Sequence, residues 1–284
     1  MAVRPARIVD AHVHFWDPAR TDWYPYLAGQ MDIGMGDVKG MARRFDRSTY
    51  QAESEGWNVE KLVNVAAATG RHSIDETLAI DQQGQADALI GGIAPTESMA
   101  DARALIDRQM EADGFRGVRP MGRFDGPLPD AAVLRELADR GLVFELLSRP
   151  DQLEIAARGL DGLDDLVVVV EHTGWPQSGS EDETAVWLAG IRALAALGQN
   201  VHCKLSGLSA PAGSMRADLF APWLEPAIDA FGVDRCFFAS NFPVDGLHGT
   251  LDDLWAAFDE ATAGLDDESR AKLFATNAEG VYRI

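Results

Sequence analysis

Ile8-Val9-Asp10-Ala11-His12-Val13-His14 reads as a β-strand that delivers chemistry at its C-terminal end. Side chains alternate faces along a strand, so this spacing sends Asp10, His12 and His14 the same way, with Ile8 deeper on that face. Two imidazoles one pleat apart, with a carboxylate behind them, can converge on one metal ion or one substrate oxygen. A His-x-His triplet alone is common by chance, so its meaning depends on what the rest of the chain builds around it.

Outward from this stretch, short apolar runs alternate with segments of helical period. Further strands are predicted over residues 61–67, 88–94, 115–120, 142–147, 166–172, 200–207 and 235–241. Helical spacing is found over 74–85, 99–112, 131–139, 151–158, 183–197, 217–231, 251–262 and 269–276. Pro222 and Pro226 fall inside one of these segments and are expected to divide or kink it. Eight strands, each followed by a helix-competent segment, make an α/β fold of the (β/α)8 TIM-barrel type the economical architecture. A doubly wound open sheet is the alternative, but no Gly-rich phosphate loop follows the first strand. The connection from about residue 15 to 58 is long and carries Trp23, Tyr24, Tyr26, Met31 and Met35, so it is expected to form a lid or side wall. The plainer alternative is that these residues only pack the loop onto the barrel.

A chain of 284 residues, 46% of them hydrophobic, can bury a large core, and a single domain over 1–284 is expected. The net charge of -20 argues against partners such as nucleic acid or an anionic membrane and leaves a small-molecule substrate. Cys203 and Cys236 are too few for a disulfide framework, and strand parity places both between sheet and helices as small hydrophobes. With no apolar leader or spanning segment, a soluble cytoplasmic protein is expected. The helix faces carry enough apolar surface to allow a homo-oligomer.

In a barrel of this type, chemistry sits at the C-terminal ends of the strands. The polar residues there are His12, His14, Arg119, Glu145, Ser148, His172, Lys204 and Asn241. By parity, His172 shares a face with Val168 and Val170, and Asn241 with Phe237 and Ala239. Arg119 and Lys204 suit a substrate carboxylate or hydroxyl, with Arg123 as a further candidate. Their alternative role is an ion pair with Glu145 or Glu171.

Four ordered motifs carry a resemblance: Asp10-Ala11-His12-Val13-His14-Phe15-Trp16-Asp17-Pro18, Glu171-His172-Thr173-Gly174-Trp175-Pro176, Cys203-Lys204-Leu205-Ser206-Gly207 and Ser240-Asn241-Phe242-Pro243. Together they resemble the amidohydrolase-related lactonases, a TIM-barrel group similar to fuconolactone and rhamnonolactone hydrolases and pyrone-dicarboxylate lactonase. The resemblance spans the chain and implies hydrolysis of a small lactone or related ester, sugar-derived or carboxylated. It places the family's histidine pair on His12 and His14 and its strand-six histidine on His172. These three imply a site for one divalent metal, zinc by preference. The chain departs from the pattern at Asn241, where the family commonly has an aspartate that serves as base or ligand. A carboxamide cannot accept a proton at neutral pH, so the resemblance is equally compatible with no metal. Asp245, with His248 from the same loop, or His172 could then supply the missing function beside Asn241. Two other functions stay open: a metal-dependent decarboxylase of an unsaturated carboxylic acid, and a catalytically retired barrel that binds a metabolite.

Overall fold

The computed structural model describes residues 4–34, 36–94, 98–121 and 128–284, so Met35 and the substrate-binding candidate Arg123 lie outside the described residues. Eight strands pair in parallel in chain order: β1 (Ile8–Val13), β2 (Val59–Val65), β3 (Ala88–Ile93), β4 (Phe115–Pro120), β5 (Val143–Leu146), β6 (Val168–Val170), β7 (Val201–Leu205) and β8 (Cys236–Phe238). The last strand returns to the first. The His14 amide donates to the Phe242 carbonyl and the Asn241 amide to the His12 carbonyl, both at 2.8 Å. The outcome is the TIM barrel expected from the alternation.

Helices α1 (Arg47–Glu53), α2 (His72–Gln82), α3 (Met99–Gln109), α4 (Ala131–Asp139), α5 (Leu153–Leu160) and α6 (Glu181–Ala195) cover the first six connections. The chain continues through α7 (Ser209–Ala212), α8 (Ala217–Phe231), α9 (Leu251–Ala261), α10 (Asp267–Ala271) and α11 (Asn277–Tyr282). Their starts are written locally. Asp46, Ser98, Ser180 and Asp266 each accept a backbone N–H three residues on, and Thr250 forms a reciprocal capping box with Asp253. Pro222 and Pro226 do not divide α8, contrary to the sequence expectation. They lie four residues apart on one face, Pro222 exposed and Pro226 half-buried, where water can satisfy the carbonyls they release. The segment expected as one helix over 269–276 is instead α10, a π-turn over Lys272–Thr276, and α11.

Two apolar layers separate the inside of the barrel from its jacket. Val9, Ala11, Val63, Val169, Phe237 and Ala239 pack together inside, and Ala278, Val281 and Tyr282 of the C-terminal segment plug the lower end. Val168, Val170, Phe238, Cys203 and Cys236 belong to the layer between strands and helices. The cysteines thus lie where parity put them, both reduced and buried. Among the described residues no helix is long and apolar enough to cross a membrane.

Asp10 and His172 depart from simple alternation. In β1 the register shifts between Asp10 and Val13, so Asp10 does not share a face with His12 and His14. Its carboxylate instead accepts the Tyr50 hydroxyl at 2.7 Å and the Ser240 amide at 2.8 Å, tying β1 to α1 and to the end of β8. In β6 it is Val169 that faces inward, and the strand stops at Val170 rather than running to His172. His172 reaches the mouth because the backbone turns left-handed there, at φ 52°, followed by Thr173 at φ 55° and Trp175 at φ 49°.

Candidate active site

Left-handed backbone at non-glycine residues costs ~1–2 kcal/mol each and persists only where surroundings enforce it. Four such residues, His172, Thr173, Trp175 and Asn241, gather at the barrel mouth. The turn after β6 is held from below and behind. The Trp187 indole of α6 donates to the Thr173 carbonyl at 2.7 Å, and the Ser206 amide donates to the Thr173 hydroxyl at 3.3 Å. Gly207, at φ +67°, completes the seat: a Cβ there would stand 2.7 Å from the His172 Cβ. The Lys-Leu-Ser-Gly motif therefore shapes the backbone that receives His172.

Three histidines meet at this point. The rings of His12 and His14 lie 4.7 Å apart, and those of His12 and His172 4.6 Å apart. His14 Nδ1 is 2.7 Å from the Val65 carbonyl, which can only accept, so this nitrogen carries the proton and Nε2 presents its lone pair. That lone pair is 3.1 Å from His12 Nε2. On its other side His12 Nδ1 is 3.3 Å from Lys204 Nζ. His172 Nδ1 lies 3.0 Å from the Ser206 hydroxyl. Burial, followed by the charges of Lys204, His172 and His14, holds His12 well below the usual imidazole range. Burial also lowers His14, and it lowers His172 to about 3 with Arg119 and Lys204 adding to the effect. All three are neutral at physiological pH.

Beneath the histidines runs a charged network that reaches the cavity only through Arg119. Lys204 donates to Glu145 at 2.6 Å, and the Tyr282 hydroxyl donates to the other Glu145 oxygen at 2.6 Å. Arg119 donates to Glu171 Oε2 at 3.3 Å. Two cations offset by two carboxylates keep this interior near neutral. Lys204, expected to bind substrate, is fully buried and belongs to this layer under the site, because its partner Glu145 points up from the barrel interior. Arg119 pairs with Glu171 yet also lines the cavity, and its Nε is buried without a partner.

The strand-eight asparagine is likewise tied. Asn241 Nδ2 donates to Asp245 Oδ1 at 2.8 Å, which turns its carbonyl oxygen toward His14. Asp245 is 3% exposed and sits behind Asn241 without lining the cavity; burial pushes its carboxyl up to about 7. His248 is exposed on the far side of that loop and is not brought to the site. The structure thus gathers His12, His14, His172, Arg119 and Asn241, with Lys204 and Asp245 one layer back.

Above them opens a cavity of about 710 Å³, floored by His14, His172, Arg119 and Asn241. The connection between β1 and β2 supplies one wall through Trp16, Tyr26, Met31 and Ile33. Leu147 and Trp175 form the opposite wall, with the Arg149 guanidinium 5.5 Å from the Trp175 ring centre. Glu76 anchors the loop wall: it accepts the Tyr24 hydroxyl at 2.8 Å and the amides of Ala67 and Ala68 at 2.8 and 3.0 Å. Burial pushes the Glu76 carboxyl from 4.5 up to about 7. Because the folded value exceeds the unfolded one, the folded state holds the extra proton between those limits, and stability falls as pH rises through that window. Glu76→Gln removes the titration. The stability of wild type relative to this variant is expected to drop by ~3 kcal/mol from pH 4.5 to 7, read from denaturant midpoints. A constant difference would show that Glu76 titrates normally.

Sequence reading missed one potential ligand. Among the described residues, His12, Glu171 and His172 form a group whose ligand atoms lie within 4.8 Å of one another. Glu171 Oε1 is buried with no hydrogen-bond partner, 4.0 Å from His12 Nδ1, while Oε2 is 3.7 Å from His172 Nε2. Two neutral imidazoles and a carboxylate with an unused oxygen fit one divalent cation. The signal was available: Glu171 ends a run of valines that is otherwise wholly apolar.

Comparison with known proteins agrees with this geometry. A profile of the amidohydrolase family matches residues 9–284. The uncharacterized protein y4mH of Sinorhizobium fredii is 31% identical, covering 98% of either chain. An L-fucono-1,5-lactonase of Burkholderia ambifaria is 30% identical, covering 97% of this chain and 95% of that one. A Burkholderia multivorans amidohydrolase crystallised with bound zinc is 25% identical, with a TM-score of 0.81 over 98% of this chain and all of that one.

Proposed function

Since the chain belongs to the amidohydrolase family, we propose that it is a hydrolase acting on a small lactone, with water activated at the cavity floor. The observation that carries this reading is the convergence of neutral His14 and His172, Arg119 and Asn241 under one enclosed cavity, in a chain 30% identical to a lactonase. His172 serves as the proton acceptor: it is neutral and lines the cavity, and although burial lowers it to about 3, the Glu171 carboxylate 3.7 Å from its Nε2 is placed to stabilise the imidazolium formed on taking a proton from water. Ser206 fixes the ring. The Arg119 guanidinium, which lines the cavity, meets the negative charge that grows on the carbonyl oxygen as water adds. Asn241, clamped by Asp245, leaves its own oxygen as an acceptor at the floor, suited to the attacking water or a substrate hydroxyl. The segment over 15–58 acts as the side wall that keeps bulk water from the floor.

In place of that proton-accepting role for His172, the group His12, Glu171 and His172, with His14 adjacent, would hold a divalent ion, zinc by preference. When bound, it supplies Lewis acidity. Of the buried network's two cations only Arg119 lines the cavity, so the ion and Arg119 would share the task of polarising the carbonyl.

The test is acid release from lactones by untagged protein purified without chelator, with metal content measured on the same sample. Hydrolysis with roughly one ion per chain, lost in Glu171→Gln, supports the lactonase and makes His172 a ligand in place of the proton acceptor. Hydrolysis without metal removes the ion and keeps the lactonase. Release of carbon dioxide without ring opening would overturn the reading.

A further inference from the structure

Resting on the lactonase reading, we infer that the substrate is a lactone with an apolar, aryl or alkyl, body, and that the site discriminates against polyhydroxylated sugar lactones. Three polar side chains of the cavity walls turn their polar atoms into the protein. Trp16 Nε1 donates to the Arg43 carbonyl at 3.0 Å, the Tyr26 hydroxyl to the Ala67 carbonyl at 3.0 Å, and the Thr69 hydroxyl to the Trp23 carbonyl at 3.2 Å. What these residues offer the cavity is ring face and methyl.

Most of the remaining wall is apolar: Met31, Ile33 and Met41 on the loop side, Met121, Leu147 and Trp175 opposite, with Asp32 and Arg149 as its exposed charged members. Trp16 lies nearly parallel to the His14 ring, at 6° and 5.8 Å between centres. A flat surface therefore rises from the reacting end. Met31 is 45% exposed at the rim, a flexible thioether that an apolar ligand would cover. The buried polar groups able to hold a carbonyl lie at the floor, as Arg119 and the two histidines, while two exposed charges, Asp32 and Arg149, also border the cavity.

Away from Asp32 and Arg149, the hydroxyls of a sugar lactone would face carbon, stripped of water and without partners, and each such hydroxyl weakens transition-state binding. An apolar body instead removes its own surface and that of the walls from water together. The cavity, about 710 Å³, is also larger than one lactone ring fills, which leaves room for a substituent.

The experiment compares dihydrocoumarin, an aryl-fused lactone, with L-fucono-1,5-lactone as substrates of the wild-type protein, both corrected for spontaneous opening. The expected result is a kcat/KM about a hundredfold higher for dihydrocoumarin, as two unpaired hydroxyls would produce. Preference for the sugar lactone would overturn the substrate class and leave the hydrolase reading intact. Failure on both would overturn this inference and the hydrolase reading together. Met31→Ser, at an exposed position that does not threaten the fold, is expected to raise KM for dihydrocoumarin roughly fivefold with kcat kept. An unchanged KM would remove the loop wall from recognition.

Discussion

Replacing His172 with asparagine is expected to lower kcat on a lactone substrate by about 10²–10⁴-fold, the usual contribution of a positioned proton acceptor. Asparagine is the informative replacement for a backbone reason. His172 has φ 52°, and asparagine tolerates that conformation far better than alanine, so the turn through Trp175 stays in place. Loss of activity then reports the missing imidazole and not a collapsed mouth. KM should change little, since the cavity walls are untouched, and Tm should stay within about 4 °C of wild type. His172→Ala should lose as much activity but also stability, because a methyl side chain gains nothing from a left-handed backbone. Full activity in His172→Asn would take this residue out of the chemistry and move the proton-accepting task to the carboxylate of Glu171 or Asp245.

How far the sequence discloses this arrangement differs from residue to residue. The barrel is legible because each strand is a short apolar run and many helix starts carry their own cap. His14, His172 and Asn241 at the floor follow from placing polar residues at strand ends, which needs only the topology. What fails is parity near those ends. Asp10 and His172 are misplaced by alternation because a bulge intervenes in β1 and a left-handed turn follows β6; the bulge carries no glycine or proline, and Gly174 and Pro176 mark the turn only beyond His172. The partners of buried charges are equally hidden. Lys204 meets Glu145, 59 residues away, and Tyr282 reaches the same carboxylate from 137 residues away. Such pairings depend on the register and tilt of the closed barrel, which no window of sequence contains.

Those hidden pairings carry the second large effect. Lys204→Met is expected to destabilise the protein by ~3–5 kcal/mol, because it leaves the Glu145 carboxylate charged and uncompensated inside the barrel. Burial already pushes that carboxyl upward, with Lys204 opposing the shift, so removing the lysine makes protonation of Glu145 part of folding. Glu145→Gln should cost a similar amount by stranding the ammonium beside His12, 3.3 Å from its Nδ1. The double variant separates the charge pair from the packing around it. With both charges gone, the Tyr282 hydroxyl can still donate to the glutamine oxygen, and most of the stability should return. Urea midpoints of the two single variants and the double one measure the coupling directly. Single-variant losses below about 1 kcal/mol would mean that water reaches this pair, contrary to its complete burial. Activity need not follow stability back. Lys204 also fixes which nitrogen of His12 carries the proton, so a refolded double variant that remains slow would place the function of the pair in setting the histidine tautomers, with stability only its cost of residence.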